Sequence, residues 1–197
     1  KKGANTIKHR GPDDFGEYWS QNGLVGLAHR RLSIIDLSSA ARQPMRNMSG
    51  DLIIVFNGEI YNYIDLRNQL IGFGYEFDTQ SDTEVILAAF SKWGVDCLKF
   101  FDGMFSFAIY DSKENRLFFA RDRAGEKPMY YYHDGNTLYF ASELKALLAN
   151  NCLPRRIDPI SFDCYLSMGY VPAELCILKG YKKLPPAHAM VFDINNG

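Results

Sequence analysis

Apolar residues along this chain fall into short runs broken by polar turns, and two periods alternate. Runs with strand character are Gly23 to Ala28, Asp51 to Phe56, Gly103 to Tyr110, Arg116 to Asp122, Met129 to His133 and Thr137 to Ala141. The last four form two pairs joined by the short polar connections DSKEN and HDGN. Such connections join antiparallel neighbours, because parallel strands need longer crossovers. Between and after them the period lengthens. Tyr63 to Phe73 carries Ile64, Leu66, Leu70 and Ile71 at helical spacing. Ser81-Asp82-Thr83-Glu84 has the form of a capping box ahead of VILAAFSKW, which predicts a helix capped by Ser81 and running to about Trp93. Asp158-Pro159 opens another helix with proline at its first position.

Two strands say how the layers are stacked. LIIVF (52 to 56) is apolar on both faces, and GMFSFAIY (103 to 110) nearly so. An antiparallel strand that is apolar on both faces must be covered on both sides. Sheets packed on each other and flanked by helices satisfy that requirement, so the pattern predicts an α+β sandwich.

Composition narrows the function. Of 197 residues, 47% are hydrophobic and 14% aromatic, and 22 basic residues balance 23 acidic ones for a net charge of -1. With no long run of either sign, a general nucleic-acid or membrane-surface role is disfavoured. The longest apolar run, Leu52 to Phe56, is far too short to cross a bilayer. The opening KKGANTIKHRGPDD has no apolar signal-peptide core. Cys97, Cys152, Cys164 and Cys176 form no CxxC pair, and His9, His29, His133 and His188 are far apart. No metal site or disulfide framework is expected, and reduced, inert thiols in a cytoplasmic setting are the plain reading.

One polar triplet stands out. Asn57-Gly58-Glu59 directly follows the apolar strand, and Asn-Gly is a strong hairpin signal. Only Glu59, Ile60 and Tyr61 remain before the helix, too little chain to pair with the first strand. The expectation is therefore that Asn57 ends the strand and that the triplet is held there for chemistry.

Taken together, HRGPD (9 to 13), HRRLSIID (29 to 36), FNGEIYN (56 to 62), SDTEVIL (81 to 87), DGMFSFAIYD (102 to 111), RDRAGEKPMYY (121 to 131) and SELKAL (142 to 147) resemble the glutaminase domain of glutamine-hydrolysing asparagine synthetases of the bacterial B type. LSMGYVPAELCILKGYKKLPPAH (166 to 188) is similar to the exit from that domain in longer members. Related class II amidotransferases share the NGE-like and SDTE-like motifs. The resemblance implies an N-terminal-nucleophile hydrolase fold, a four-layer αββα sandwich of two antiparallel sheets flanked by helices. It implies hydrolysis of the glutamine side-chain amide, with the ammonia used by a separate ATP-dependent domain that amidates aspartate. No cofactor is implied for this domain; ATP and Mg belong to the synthetase domain. Glutamine and a C-terminal synthetase domain of the same polypeptide are the implied partners, and a homodimer is left open.

Residue roles follow from the resemblance. Arg31 would bind the α-carboxylate of glutamine, for which a planar guanidinium is suited. Leu32, Ser33, Ile34 and Ile35 would line the same strand. Asp82 would take the α-ammonium; first-turn aspartates also favour a helix N-terminus without any ligand. The Asn57 side-chain amide and the Gly58 N–H would form the oxyanion hole, with Glu59 beside the amide. His9 and Arg10 would order the pocket wall, and RDRAGEKP would lie towards the partner domain without catalytic duty.

The family nucleophile is a leading cysteine whose own α-amine acts as base. This chain opens with Lys1. The expectation is of one domain over 1–197, without the strand that carries the nucleophile and without the synthetase domain, and inactive by itself. A non-catalytic scaffold like that of β-lactam synthetase, or an amidotransferase for another carboxylate acceptor, is the alternative. The final acceptor is not encoded in this stretch.

Overall fold

The computed structural model describes residues 1–172 and 174–196; Ala173, inside the 166 to 188 stretch, and Gly197 lie outside the described residues. In chain order the helices are α1 (Lys2–Thr6), α2 (Tyr63–Gly72), α3 (Asp82–Trp93), α4 (Leu144–Leu148) and α5 (Pro159–Met168). The strands are β1 (Asp14–Trp19), β2 (Gly26–Arg31), β3 (Met45–Arg46), β4 (Leu52–Ile60), β5 (Gly103–Asp111), β6 (Arg116–Arg121), β7 (Tyr130–His133), β8 (Leu138–Ala141), β9 (Lys182–Lys183) and β10 (Ala189–Asp193).

The central sheet runs β10-β6-β5-β4-β3 and is antiparallel throughout. Alternation along its strands divides the side chains between two cores. Ile54, Phe56, Phe105, Phe107, Ile109 and Phe118 pack against Leu66 and Leu70 of α2 and the Val85 to Phe90 face of α3. On the opposite face Ile53, Ala108, Tyr110, Leu117 and Phe119 meet Leu27 of β2 and Val25 just before it, together with Met129 and Leu184. Both faces of LIIVF and of GMFSFAIY are thus covered, as their composition predicts. Each of the fully buried phenylalanines contributes about 2–3 kcal/mol of burial.

The facing layer is in two pieces, β1-β2 and β8-β7-β9. Behind the second piece, Leu147 of α4 packs with Leu153, Cys176 and Tyr181, and α1 lies beside α4. The order is therefore helices, sheet, sheet layer, helices. It is the expected αββα sandwich, with the correction that the second sheet layer is divided among the described residues. Between the pieces lies a cavity of about 340 Å³, walled by Gly26, Ala28 and Arg30 of β2 and by Leu138 to Ala141 of β8, over Val55 and Ala108.

The hairpins β5–β6 and β7–β8 pair as the sequence indicates. Ser81 caps α3, its hydroxyl accepting from the Thr83 N–H at 3.1 Å. The reciprocal half of the capping box does not form. The Glu84 carboxylate instead accepts the N–H groups of Asp78 and Thr79, at 2.9 and 2.8 Å. The preceding loop thus takes the bonds that an isolated helix would have used.

Asp122, just past β6 and 1% exposed, organises the RDRAGEKP run. Its carboxylate accepts from the backbone of Phe105 at 3.2 Å, Glu126 at 2.9 Å and Lys127 at 3.0 Å. Burial raises its pKa, but these backbone bonds outweigh that and leave it below the ordinary carboxylate value. Its stabilising contribution is present above the unfolded pKa and is lost as pH falls through the lower folded value. Asp122→Ala is expected to cost roughly 3 kcal/mol or more, since it orphans buried donors worth about 1–3 kcal/mol each. Urea midpoints at neutral pH measure this, and a change under about 0.5 kcal/mol, the ordinary surface range, would contradict it.

Candidate functional site

β4 does not end at Asn57. It continues to Ile60, with Asn57 opposite Ser106, Gly58 opposite Phe105 and Glu59 opposite Met104. The triplet is neither a hairpin nor a strand terminus. Its partner strand lies some 45 residues downstream, beyond the reach of local pattern.

The outer edge of β4 is completed by a succession of different groups. The backbone of Leu52 bonds Asn47, and Ile54 pairs with Met45 of β3. Past that two-residue strand, side chains take over. The Phe56 N–H donates to Gln43 Oε1 at 2.7 Å, and its carbonyl accepts from His29 Nε2 at 2.9 Å. At Ile60 the N–H donates to the Asp82 carboxylate at 3.1 Å. Outward-facing backbone groups in a strand recur at every second residue. Gly58 therefore presents its N–H on this same edge, between the Phe56 clamp and the Asp82 carboxylate. Phe105, opposite, spends both its backbone groups on Asp122.

Gly58 has φ +150°, and a Cβ there would meet the Met104 carbonyl oxygen at 2.1 Å. The close approach that glycine permits is thus to β5. Beside it, the Asn57 side-chain nitrogen Nδ2 is buried and has no hydrogen-bond partner. An unpaired buried amide costs free energy unless something else uses it.

Asp82 is 5% exposed at the start of α3, and burial pushes its carboxyl pKa up to about 6. The bonds from Ile60 and Thr83 oppose the rise, and the charge of Glu59 adds to it. Arg31, at the end of β2, is also buried. Its guanidinium donates to the carbonyls of Ser38, at 2.8 Å, and Asp36. These bonds leave N–H groups of its five free to turn to a ligand. Leu32 to Ile35 lie in the loop that Arg31 braces, not in a strand as expected. The Asp36 carboxylate, held below its ordinary pKa chiefly by Ser38, accepts from the Gln80 N–H at 2.8 Å and ties this loop to the approach to α3.

A second cavity, about 220 Å³, collects these residues. Arg31, Leu32, Ile34, Ile35, Asn57, Gly58, Glu59 and Asp82 all line it. Ser33 does not; its N–H is turned to the Asp13 carboxylate at 2.8 Å. Arg10 lines it too, in keeping with its expected place at the pocket wall, and so do Gln43, His29 and Lys127, which were not assigned to it from sequence. Arg10 also pairs with Glu143 at 3.2 Å, as His9 does at 3.1 Å. Lys127 comes from the RDRAGEKP run, so that run reaches the site. Nothing local distinguishes Gln43 or His29, whose positions depend on β3 and β2 meeting β4.

The two cavities share Arg10, His29, Arg30, Phe56 and Asn57. They meet where the unpaired amide lies. Chemically, the second cavity is lined by a buried carboxylate, a guanidinium and two N–H donors.

Comparisons with known proteins identify the family of the chain and a likeness of its fold. The sequence profile of the glutamine amidotransferase domain matches residues 1–196. A putative glutamine-hydrolysing asparagine synthetase 2 of Methanocaldococcus jannaschii is 42% identical over 96% of this chain and 40% of its own length. The glutamine-hydrolysing asparagine synthetase 3 of Bacillus subtilis is 40% identical over 96% of this chain and 31% of its own. Asparagine synthetase B of Escherichia coli is 45% identical over 74% and 26%. This chain thus spans less than half the length of these relatives. Among solved structures, glutamine phosphoribosylpyrophosphate amidotransferase from B. subtilis aligns with TM-score 0.70 at 19% identity, covering 99% of this chain and 44% of that one. At that identity the likeness concerns the fold, and it is the sandwich expected for an N-terminal-nucleophile hydrolase. No helix among the described residues is long and apolar enough to cross a membrane.

Proposed function

The chain belongs to the glutamine amidotransferase domain family, and from that premise we propose that it binds free glutamine in the cavity of about 220 Å³ and supports hydrolysis of the side-chain amide. The observation that carries this reading is the buried, unpaired Asn57 Nδ2 beside the outward Gly58 N–H. Asp82 takes the α-ammonium and Arg31 the α-carboxylate, which orients the amide carbon towards Asn57.

A thiolate attacks that carbon, and the carbonyl electron pair moves onto oxygen, where Asn57 and Gly58 donate to it. Collapse of the intermediate breaks the C–N bond, and nitrogen leaves as ammonia after taking up a proton. Water then cleaves the thioester to give glutamate. None of the four cysteines of the chain lines either cavity. Burial pushes the Cys97 thiol up to about 12 and also raises that of Cys176, so neither is a thiolate at neutral pH.

The nucleophile enters, on this reading, on an extended segment of the full-length protein that occupies the cavity between β2 and β8. In support, those two strands each pair on one side, with β1 and β7 respectively, and their other edges face that cavity. Its floor reaches Asn57. The ammonia goes, on this reading, to an ATP-dependent domain of the same polypeptide that amidates aspartate; the relatives themselves are named glutamine-hydrolysing asparagine synthetases.

Asn57→Ala in the full-length protein is expected to lower kcat for glutamine hydrolysis about 10²–10³-fold, the usual cost of one oxyanion donor. KM should stay within about two-fold, because the donor serves the transition state and not the substrate. The melting temperature should not fall, since the amide makes no bond in the fold. Full retention of kcat would remove the oxyanion role.

A further inference from the structure

The edge of β4 at Phe56 is closed by two side chains, where two residues earlier Ile54 pairs with the backbone of β3. Gln43 faces two ways. Its Oε1 accepts from Phe56, and its Nε2 donates to the Thr83 hydroxyl at 3.3 Å, one residue past Asp82. It is 7% exposed. His29 approaches from the other layer, from β2. A carbonyl only accepts, so the bond to Phe56 places the His29 proton on Nε2 and leaves Nδ1 bare. That Nδ1 is buried without a partner, at the wall shared by both cavities.

The Phe56 carbonyl belongs to the same peptide plane as the Asn57 N–H. Rotation of that plane swings the Asn57 side chain and the Gly58 N–H that follows. β5 pairs its inner edge, with Asn57 opposite Ser106, but β3 is only two residues long and stops before this point, so no strand restrains the outer edge. We propose that Gln43 and His29 are positioning residues for the amidotransfer site, fixing the Phe56–Asn57 peptide so that the oxyanion donors stay aimed and at a set distance from Asp82. This rests on the glutamine-hydrolysis reading above. Burial supports the assignment independently, holding the His29 pKa down at about 4, so that the ring stays neutral and its tautomer constant at physiological pH.

The two halves of the histidine can be separated. Glutamine reaches as far as Nε2 and can still donate to Phe56, whereas asparagine is too short. In the full-length protein, His29→Asn and Gln43→Met are expected to lower kcat for glutamine hydrolysis about 10–100-fold, the scale of a misplacement of about 1 Å. KM should stay within about two-fold, and His29→Gln should recover most of the loss. Hydrogen exchange supplies a readout that needs no turnover. The Phe56 and Asn57 amides should exchange faster in His29→Asn and Gln43→Met than in wild type, with those of Ile54 and Phe107 unchanged. A His29→Gln as impaired as His29→Asn, a loss confined to KM, or unchanged exchange at Phe56 and Asn57 would each overturn the clamp. A wild-type protein that does not hydrolyse glutamine would overturn the preceding reading instead, leaving the exchange experiment to decide the clamp.

Discussion

Asp82→Asn is expected to make the domain harder to unfold at pH 8 while abolishing its use of glutamine. The Asp82 carboxyl has a folded pKa of about 6, above the ordinary 3.8. A group whose pKa rises on folding holds its proton more tightly in the native state. Its stabilising effect is therefore complete below the unfolded pKa and is lost as pH climbs through the folded one. Above about pH 6 the native state carries a buried charge without a cation. The shift corresponds to about 1–3 kcal/mol.

An asparagine at 82 keeps an oxygen to accept the Ile60 N–H and removes the charge. Urea midpoints should then show Asp82→Asn more stable than wild type at pH 8 and nearly equal to it at pH 4. Binding moves the other way. Without the carboxylate the α-ammonium enters a desolvated site unpaired, and affinity should drop on the order of 10²-fold or more. The wild-type protein should likewise bind glutamine more weakly as pH falls below about 6, a trend that Asp82→Asn cannot show. Calorimetric titration at the two pH values measures both, and equal affinity of the two proteins for glutamine would remove the ammonium role from Asp82. Function is held here at the expense of stability, which is common where a site must meet a charged ligand.

Gly58→Ala should cost the most stability of any single methyl added to the chain near the site. The residue sits at φ +150°, and its Cβ would lie 2.1 Å from the Met104 carbonyl oxygen, a backbone atom that cannot turn aside. Backbone strain of about 1–3 kcal/mol and overpacking of similar size combine to roughly 2–6 kcal/mol. That is a large part of the stability of an ordinary domain, about 5–15 kcal/mol. Gly72→Ala is the control. That glycine ends α2 with nothing within 4 Å of a new Cβ, and alanine there should be neutral or stabilising by up to about 1 kcal/mol. Thermal melts of the two variants side by side decide the matter. A Gly58→Ala that melts with wild type would mean that Gly58 does not face Phe105 as the register has it.

What the sequence alone determined was whatever depends on near neighbours. The cap and extent of α3, the proline-led start of α5 and the hairpins β5–β6 and β7–β8 all follow from residues within a few positions of each other. Two-sided apolar strands called for layers on both faces, and the motifs named the family. Tertiary structure decided the rest. Local pattern ended β4 at Asn57 because the partner that prolongs it, Gly103 to Ser106, is distant in sequence. Glu84 left its capping role because another loop offered better donors. Ser33 was drawn out of the site by Asp13, and Gln43 and His29 were drawn in by the open edge of a strand whose neighbour is two residues long. Periodicity and caps are read along the chain, where spacing alone sets the energy. The register of β4 on β5 and the closing of its edge are pairings across the fold, and their energy exists only once distant segments have met.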